Sequence, residues 1–462
     1  MKKQFYILIF MIPVVICAQQ VLAQSSPTNF AWKIVGNAGF SAGTVQYTSL
    51  AFSPIDSLPY VAFSDGSNSW KATVMKFNGD SWVIVGTSGF SVGMIYDISL
   101  AFSPSDGQPY VAYEDDGILD KATVMKFDGI NWVNVGNAGF SAGWVQFTSI
   151  AFSPTDSLPY VAYQDDANSE KATVMKFNGT NWMNVGNAGF STVWANYTSL
   201  AFSQNGEPYV VYMDEGDSAK ANVQRFNGTS WVNVGTEGFS AGTVHYTSLA
   251  FSPIDSLLYV AYQDWAFGRR TTIMKFNGTA WVYVGNAGFS AGWACYTSLA
   301  FSPIGQSYVA YMDYGNSLKA TVMKFDGTNW INVGNAGFSD GEADFTNLGF
   351  SPSGQPYVAY KDIGNYGKTT VMKYDSIHLG INELKESRVS LYPNPASEYV
   401  TIRIAAPVTS QLTISNINGE ELITRQITQP KTQLDISSLP SGVYFVRLTS
   451  EKSVVTGKII KQ

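Results

Sequence analysis

The chain of 462 residues has little charge and almost no cysteine. Charged residues make up 14% of it, against about 25% in ordinary soluble domains. With two cysteines in all, a disulfide-stabilised scaffold is excluded. A disordered chain is also excluded, because aromatic residues reach 14% and disordered chains carry few of them. The sequence has no basic stripe and its net charge is −7, so we expect no nucleic-acid partner.

The first residues have the pattern of a secretory signal peptide. Two lysines precede an apolar run over 5–17, and small residues follow the run. This order predicts a signal peptide over 1–23, cleaved after Ala23 or, alternatively, after Ala18. An uncleaved membrane anchor is the other interpretation, although the run is shorter than the about 20 residues that a span needs.

What the sequence has in abundance is a repeat marked by tryptophan. The repeat Trp recurs at spacings of 49 or 50 residues, at Trp32, Trp82, Trp132, Trp182, Trp231, Trp281 and Trp330. Each period carries segments such as T-S-L-A-F-S, P-Y-V-A-Y and K-A-T-V-M-K-F, bounded by Gly, Pro, Asn or Asp, which are typical of strands. An Asn-Gly or Asp-Gly turn precedes six of the seven Trp strands and predicts a hairpin between the Trp strand and the segment before it. Four strands per period predict an all-β fold with a seven-bladed β-propeller over 28–375, the alternative being a β-helix solenoid.

The ends of the repeat region predict how the ring closes. We name the four strands of a repeat A (T-S-L-A-F-S), B (P-Y-V-A-Y), C (K-A-T-V-M-K-F) and D (the Trp strand). The A segment occurs seven times, but no Trp strand follows the last C segment. The N-terminal strand 30–36 should therefore complete the blade that begins at residue 343, which removes an exposed sheet edge.

The D–A and B–C loops vary between repeats, whereas the A–B and C–D loops are nearly uniform. D–A and B–C loops emerge on one face of a propeller, so we expect ligands to bind there. This face also holds the tryptophans outside the repeat position, whose rings could stack on sugars or anchor a protein. The candidate ligand-binding residues are Trp70, Trp144, Trp194, Trp265 and Trp293. Three of them precede an A strand at one equivalent position, which we expect near the central opening; the alternative is packing between blades.

An Asp ends every B strand, and a cation follows six residues later. Seven copies at one spacing predict a structural pair across the hairpin, or an Asp that caps the turn. The pairs are Asp65 and Lys71, Asp115 and Lys121, Asp165 and Lys171, Asp214 and Lys220, Asp264 and Arg270, Asp313 and Lys319, and Asp362 and Lys368. Calcium is the alternative, because runs such as 114–116 supply oxygen ligands, although no D-x-D-x-D-G loop is present.

Residue types that carry catalysis are scarce. The chain has His245, His378 and, outside the leader, Cys295, and none has a repeated neighbour. We therefore expect no metal centre of His or Cys, no cofactor and no cysteine nucleophile. A glycosidase built on two carboxylates stays an alternative, because acids are plentiful in the variable loops and nothing singles out one pair.

The last residues predict a second domain. A polar linker over 376–387 leads into a small antiparallel β-sandwich over 388–462. This domain resembles the C-terminal sorting domain of the type IX secretion system of Bacteroidetes. The matching residues are Tyr392, Pro393, Asn394 and Pro395, then Gly442 and Tyr444, then Lys458 and Lys461.

The resemblance implies export through the Sec pathway and contact with the type IX secretion machinery. It also implies removal of the cleavable sorting domain, and then release of the propeller or its attachment at the outer cell surface. For the propeller itself we expect a monomeric binding module whose ligand is a glycan or a surface protein, with the off-repeat tryptophans favouring a glycan. A polysaccharide-acting enzyme and a purely structural surface protein are the alternatives.

Overall fold

A computed structural model describes residues 29–377, 389–404, 410–449 and 454–462 of the chain. They form two compact units that divide between residues 377 and 378. The predicted signal peptide and most of the predicted linker lie outside the described residues. Apart from seven three-residue 3-10 turns, every regular element that the structure describes is a β-strand.

The first unit consists of seven four-stranded antiparallel sheets, each of which is one blade. The A strands line a central channel, to which all seven blades contribute. The strands are β1 Asn29–Ile34; in blade 1, β2 Val45–Phe52, β3 Pro59–Asp65, β4 Lys71–Phe77 and β5 Trp82–Ile84; in blade 2, β6 Ile95–Phe102, β7 Pro109–Asp115, β8 Lys121–Phe127 and β9 Trp132–Asn134; in blade 3, β10 Val145–Phe152, β11 Pro159–Asp165, β12 Lys171–Phe177 and β13 Trp182–Asn184; in blade 4, β14 Ala195–Phe202, β15 Pro208–Asp214, β16 Lys220–Phe226 and β17 Trp231–Asn233; in blade 5, β18 Val244–Phe251, β19 Leu258–Asp264, β20 Arg270–Phe276 and β21 Trp281–Tyr283; in blade 6, β22 Ala294–Phe301, β23 Ser307–Asp313, β24 Lys319–Phe325 and β25 Trp330–Asn332; in blade 7, β26 Ala343–Phe350, β27 Pro356–Asp362 and β28 Lys368–Ile377.

The N-terminal strand closes the ring. β1 pairs antiparallel with β28, from Asn29 opposite Ile377 to Ile34 opposite Met372, and so supplies the D strand of blade 7. On the inner side, β2 of blade 1 packs against β26 of blade 7. The prediction of a seven-bladed propeller closed by the N-terminal strand is confirmed. β28 continues to Ile377, two residues beyond the predicted end of the propeller, because β1 offers it a partner that far.

The repeat Trp joins each blade to the one before it. In all seven copies its indole Nε1 donates to a valine carbonyl of the preceding repeat, at 2.7 to 2.8 Å. Its ring stacks on the Phe of the preceding G-F-S run, with ring centroids 4.0 to 4.6 Å apart. Each junction therefore combines a satisfied donor with a large apolar contact, and no disulfide is needed.

A second set of hydrogen bonds encircles the channel. In six blades the Thr of the A strand donates to a carbonyl of the preceding A strand. The residue after it, Ser in blades 1 to 6 and Asn347 in blade 7, accepts an N–H from the following blade. Blade 2 departs from this pattern, since it carries Ile98 at the Thr position.

The second unit is a β-sandwich with one shared core. Its sheets run β29-β30-β33 and β32-β31-β34-β35. Buried side chains of both sheets, such as Ile402, Leu412 and Leu448, pack into the same cluster. The strands are β29 Val389–Tyr392, β30 Tyr399–Ile404, β31 Ser410–Ser415, β32 Glu421–Ile427, β33 Lys431–Asp435, β34 Gly442–Thr449 and β35 Val454–Lys461.

Two distant parts of the C-terminal motif meet in this sandwich. The Asn394 side chain donates to the carbonyl of Lys458 at 2.7 Å and accepts the N–H of Ile460 at 2.8 Å. The Tyr444 hydroxyl donates to the carbonyl of Pro440 at 2.7 Å. The Asn of the Y-P-N-P run therefore fixes the last strand, which gives this motif a structural reason.

Candidate functional site

The D–A and B–C loops lie together on one face of the propeller. Backbone hydrogen bonds join them, for example from Gly66 to Thr44, from Asp166 to Trp144 and from Tyr314 to Trp293. Each B–C loop contains a 3-10 turn that the sequence analysis did not predict. The turns span Gly66–Asn68, Asp116–Ile118, Asp166–Asn168, Glu215–Asp217, Trp265–Phe267, Tyr314–Asn316 and Ile363–Asn365.

In five of the seven blades the Asp that ends the B strand caps this turn. Its Cα lies opposite that of the repeat cation in every blade, yet no ion pair joins the two among the side chains that the structure describes. Five of the seven carboxylates accept an N–H of the turn. Asp165 and Asp362 accept from the side chains of an Asn and a Thr instead. A buried carboxylate is better satisfied by these fixed donors than by a flexible cation at the surface, so the role is that of a cap.

The five candidate tryptophans have different environments. Trp194, Trp265 and Trp293 expose 51%, 41% and 44% of their surface. Trp144 is half-buried and lines a cavity at the mouth of the central channel. Trp70 is also half-buried, and its ring packs over Gly66 of its own loop.

The equivalent positions of Trp144, Trp194 and Trp293 share a backbone geometry, but their side chains differ in whether they line this cavity. All three carbonyls accept an N–H from a B–C loop. Of the three side chains, Trp144 alone lines the mouth of the channel. The expectation that all three lie near the central opening is therefore supported for Trp144, whereas Trp194 and Trp293 do not line this cavity.

Trp265 and Trp293 hold an arginine between them. The guanidinium carbon of Arg269 lies 4.0 Å from the ring centroid of Trp265 and 4.5 Å from that of Trp293. Trp293 also contacts the exposed Tyr314, with centroids 5.2 Å apart, and Trp265 contacts His245 at the same distance. Among the described residues, no carboxylate pairs with Arg269. We call Trp265, Arg269, Trp293 and Tyr314 the Trp–Arg patch.

Aromatic side chains surround the central channel. The third residue of each A strand adopts a positive φ of 48° to 56° beside a break in the pairing with the B strand. Such a β-bulge turns the side chain out of the regular alternation. The residues are Tyr47, Asp97, Phe147, Tyr197, Tyr246, Tyr296 and Phe345, and all of them line the channel. From Phe147 around to Tyr47, successive ring centroids lie 4.8 to 5.2 Å apart.

Blade 2 interrupts this ring with an acid. Asp97 occupies the gap between Tyr47 and Phe147, and its carboxylate accepts the N–H of Phe147 at 2.7 Å. Burial raises the pKa of Asp97 to about 6. Glu114 lies on the neighbouring B strand, opposite Tyr96 in the ladder. Burial, and then the charge of Asp97, raise the pKa of Glu114 to about 8.

These acids belong to a cavity on the D–A/B–C face. It has a volume of about 650 Å³ and is lined by eight aromatic rings, three carboxyl groups and one amide. We call it the mouth cavity. Its lining consists of Tyr47, Tyr96, Asp97, Glu114, Asp120, Trp144, Gln146, Phe147, Tyr197, Tyr246, Tyr296 and Phe345.

The structure offers little for metal or nucleophilic chemistry. In the described part of the chain, no group of three or more His, Cys, Asp or Glu side chains is placed to hold a metal ion. Burial raises the pKa of the Cys295 thiol, which leaves it in the less reactive protonated form. His378 lies outside the described residues.

Sequence reasoning missed the aromatic ring, Asp97 and Glu114. A comparison of the repeats position by position would have found them. The third A-strand residue reads Tyr, Asp, Phe, Tyr, Tyr, Tyr, Phe, and the residue before the capping Asp reads Ser, Glu, Gln, Met, Gln, Met, Lys. In both series, blade 2 alone carries an acid.

Comparison with known proteins identifies the second unit. Residues 390–462 match the family model of the secretion system C-terminal sorting domain. The C-terminal unit is a type IX secretion sorting domain. The protein is therefore secreted or attached to the outer cell surface. No helix among the described residues is long and apolar enough to cross a membrane. A comparison with curated proteins finds no match.

A comparison with solved structures finds structural similarity at low sequence identity. PorZ of Porphyromonas gingivalis, a surface component of the type IX secretion system, is 14% identical, with 90% of this chain and 59% of that chain covered and a TM-score of 0.45. An extracellular domain of a two-component system of B. thetaiotaomicron is 11% identical, with 94% and 59% covered and a TM-score of 0.50. The Aleuria aurantia lectin is 14% identical, with 63% and 95% covered and a TM-score of 0.44. The chain thus spans about three fifths of the length of PorZ.

Proposed function

We propose that the sorting-domain protein is an exported glycan-binding propeller whose ligand lies on the Trp–Arg patch. The observation that supports this is the Arg269 guanidinium, held between two exposed indole rings and without a carboxylate partner among the described residues. Indole faces stack on the apolar faces of sugar rings. The guanidinium offers fixed N–H donors to hydroxyl or carboxylate oxygens of the same sugar. Trp194 is also exposed on the D–A/B–C face and offers a further aromatic surface there.

The test starts with a glycan array probed with the full chain, followed by calorimetry on the sugars that bind. Loss of both rings in a Trp265→Ala/Trp293→Ala variant should weaken binding at least about thirtyfold, the effect of losing about 2 kcal/mol at an interface anchor. Tyr366→Ala is the matched control, because Tyr366 is 90% exposed in a B–C loop outside the patch. Absence of glycan binding, or equal affinity in the double variant and the control, would refute the glycan proposal. Binding to a surface protein that the double variant abolishes would place a protein on the patch instead.

A polysaccharide-acting enzyme is the second candidate, favoured by Asp97 and Glu114. A buried carboxylic acid with a raised pKa can donate its proton to a glycosidic oxygen while a second carboxylate assists. Incubation of the full chain with polysaccharides, followed by a reducing-end assay, tests this candidate. Product formation that Glu114→Gln abolishes would favour the enzyme over the binding module.

A further inference from the structure

The mouth cavity contains an acid that the described residues leave uncompensated. Glu114 is 7% exposed and lines the cavity, and its side chain makes no hydrogen bond or ion pair with the residues that the structure describes. The charged groups that face it are Asp97, Asp116 and Asp120, which are acids as well. Ionisation of a buried acid among other acids destabilises the folded protein unless a positive charge binds beside it.

The rest of the lining favours a positive charge. Eight aromatic rings surround the cavity, and the face of an aromatic ring attracts a cation. No Lys, Arg or His lines the cavity among the described residues. The nearby ammonium of Lys361 lies 5.9 Å from the ring of Phe345 and is paired with Asp344 at 3.3 Å, so it does not neutralise Glu114.

From this geometry we propose that the mouth cavity binds a small organic cation with an alkylammonium or guanidinium head group. The head group would lie against the aromatic ring, with the carboxylates of Asp97 and Glu114 as its counter-charge. A volume of about 650 Å³ suits a small molecule. A bare Ca²⁺ or Mg²⁺ ion is a poor occupant, because it needs six or more oxygen ligands at short distance and the described residues offer no such cluster.

This site is distinct from the Trp–Arg patch, so the two proposals stand or fall separately. The proposed cation site is built on blade 2 and the channel ring, whereas the patch lies in the B–C loops of blades 5 and 6 and the D–A loop between them. Trp265 and Arg269 do not line the mouth cavity.

The experiment is calorimetry on the full chain at pH 8 with three cationic probes, namely choline, cadaverine and arginine amide. The neutral control for choline is 3,3-dimethyl-1-butanol, which has the same shape and no charge. We expect at least one cation to bind, and choline, if it is that cation, to bind at least ten times more tightly than its neutral analogue. Glu114→Gln and Asp97→Asn should each weaken the cation at least tenfold, while Trp265→Ala leaves it unchanged.

The two acid variants preserve the fold by design. Gln already occupies the position of Glu114 in blades 3 and 5, as Gln164 and Gln263, and the amide carbonyl that Asp97→Asn introduces still accepts an N–H. Failure of all three cations to bind at millimolar concentration would overturn the proposal. Equal affinity for choline and its neutral analogue would also overturn it, and so would cation affinity unchanged in both acid variants. If the full chain binds a cation in this way but binds no glycan, the proposed function is overturned and the cation site is supported.

Discussion

Replacement of Glu114 by Gln should make the propeller more stable at high pH. The carboxyl has an ordinary pKa of 4.5, and burial beside Asp97 raises it to about 8 in the folded protein. Between these values the folded state therefore binds more protons than the unfolded state, so the free energy of unfolding falls as the pH rises. One such group changes stability by about 1.4 kcal/mol per pH unit in the middle of its window, or about 3 kcal/mol between pH 5 and pH 8.

Glu114→Gln removes the ionisation that lowers the free energy of unfolding at high pH and keeps a side chain of nearly the same size. Glu114→Gln should match the wild type near pH 5 and exceed it by about 3 kcal/mol at pH 8. Asp97 titrates in both proteins, since burial raises its pKa to about 6, so its contribution largely cancels in the comparison. Asp166→Asn is the matched control, because Asp166 is the exposed first residue of the blade 3 turn.

Urea unfolding at pH 5, 6.5 and 8, followed by tryptophan fluorescence, measures the difference. All 12 tryptophans lie between residues 32 and 330, so fluorescence reports on the propeller while the full chain is used. If wild type and Glu114→Gln lose stability in parallel from pH 5 to pH 8, Glu114 is ionised without penalty and the reasoning about the mouth cavity is wrong. If Asp166→Asn gives the same gain, the effect is one of general charge rather than of burial.

Three further predictions concern the scaffold. Trp132→Phe should cost about 1 to 3 kcal/mol in urea unfolding, because the buried Val85 carbonyl loses its indole donor at 2.8 Å; an unchanged midpoint would contradict this. Gly136→Ala should destabilise the propeller more than Gly129→Ala does. Both residues have positive φ, but a Cβ at Gly136 would lie 2.9 Å from a Phe ring, whereas nothing lies within 4 Å of a Cβ at Gly129. Equal urea midpoints would show that φ alone matters. Asn394→Ala removes two hydrogen bonds to the last strand of the sorting domain and should reduce the amount of protein at the cell surface, which immunoblotting of surface fractions would measure. Normal surface levels would show that export does not depend on this contact.

Repetition explains why most of the propeller could be predicted from the sequence. Seven copies of one strand pattern average out local ambiguity, so the number of blades and the closing strand follow from counting. The face of the variable loops could be predicted in the same way, because connectivity alone decides on which side D–A and B–C loops emerge. These inferences depend on strand order and not on where any single side chain points.

The aromatic ring could not be predicted, for a physical reason. A period-two pattern assigns each strand residue to one side of the sheet, but a bulge with positive φ at the third A-strand residue shifts that assignment. Tyr47 and its counterparts therefore point into the channel although a regular alternation would not place them there. The role of the Asp that ends each B strand was ambiguous for a similar reason. The sequence spacing predicts which residue lies opposite this Asp across the hairpin. It does not predict the 3-10 turn whose N–H groups donate to the carboxylate.

Blade 2 departs from the repeat at three neighbouring positions, two of which line the mouth cavity. Asp97 and Ile98 replace the aromatic residue and the Thr that the other blades use, and Glu114 follows on the adjacent strand. An ionised buried acid lowers the free energy of unfolding by a few kcal/mol. The hydrogen bond around the channel that blade 2 lacks, because Ile98 replaces the Thr, lowers it by about 1 kcal/mol more. Seven nearly identical Trp–valine junctions share the stability of the ring, so one blade can depart from the pattern while the others hold the fold. Since none of the three residues improves the scaffold, a ligand that supplies the missing positive charge gives Asp97 and Glu114 a common purpose.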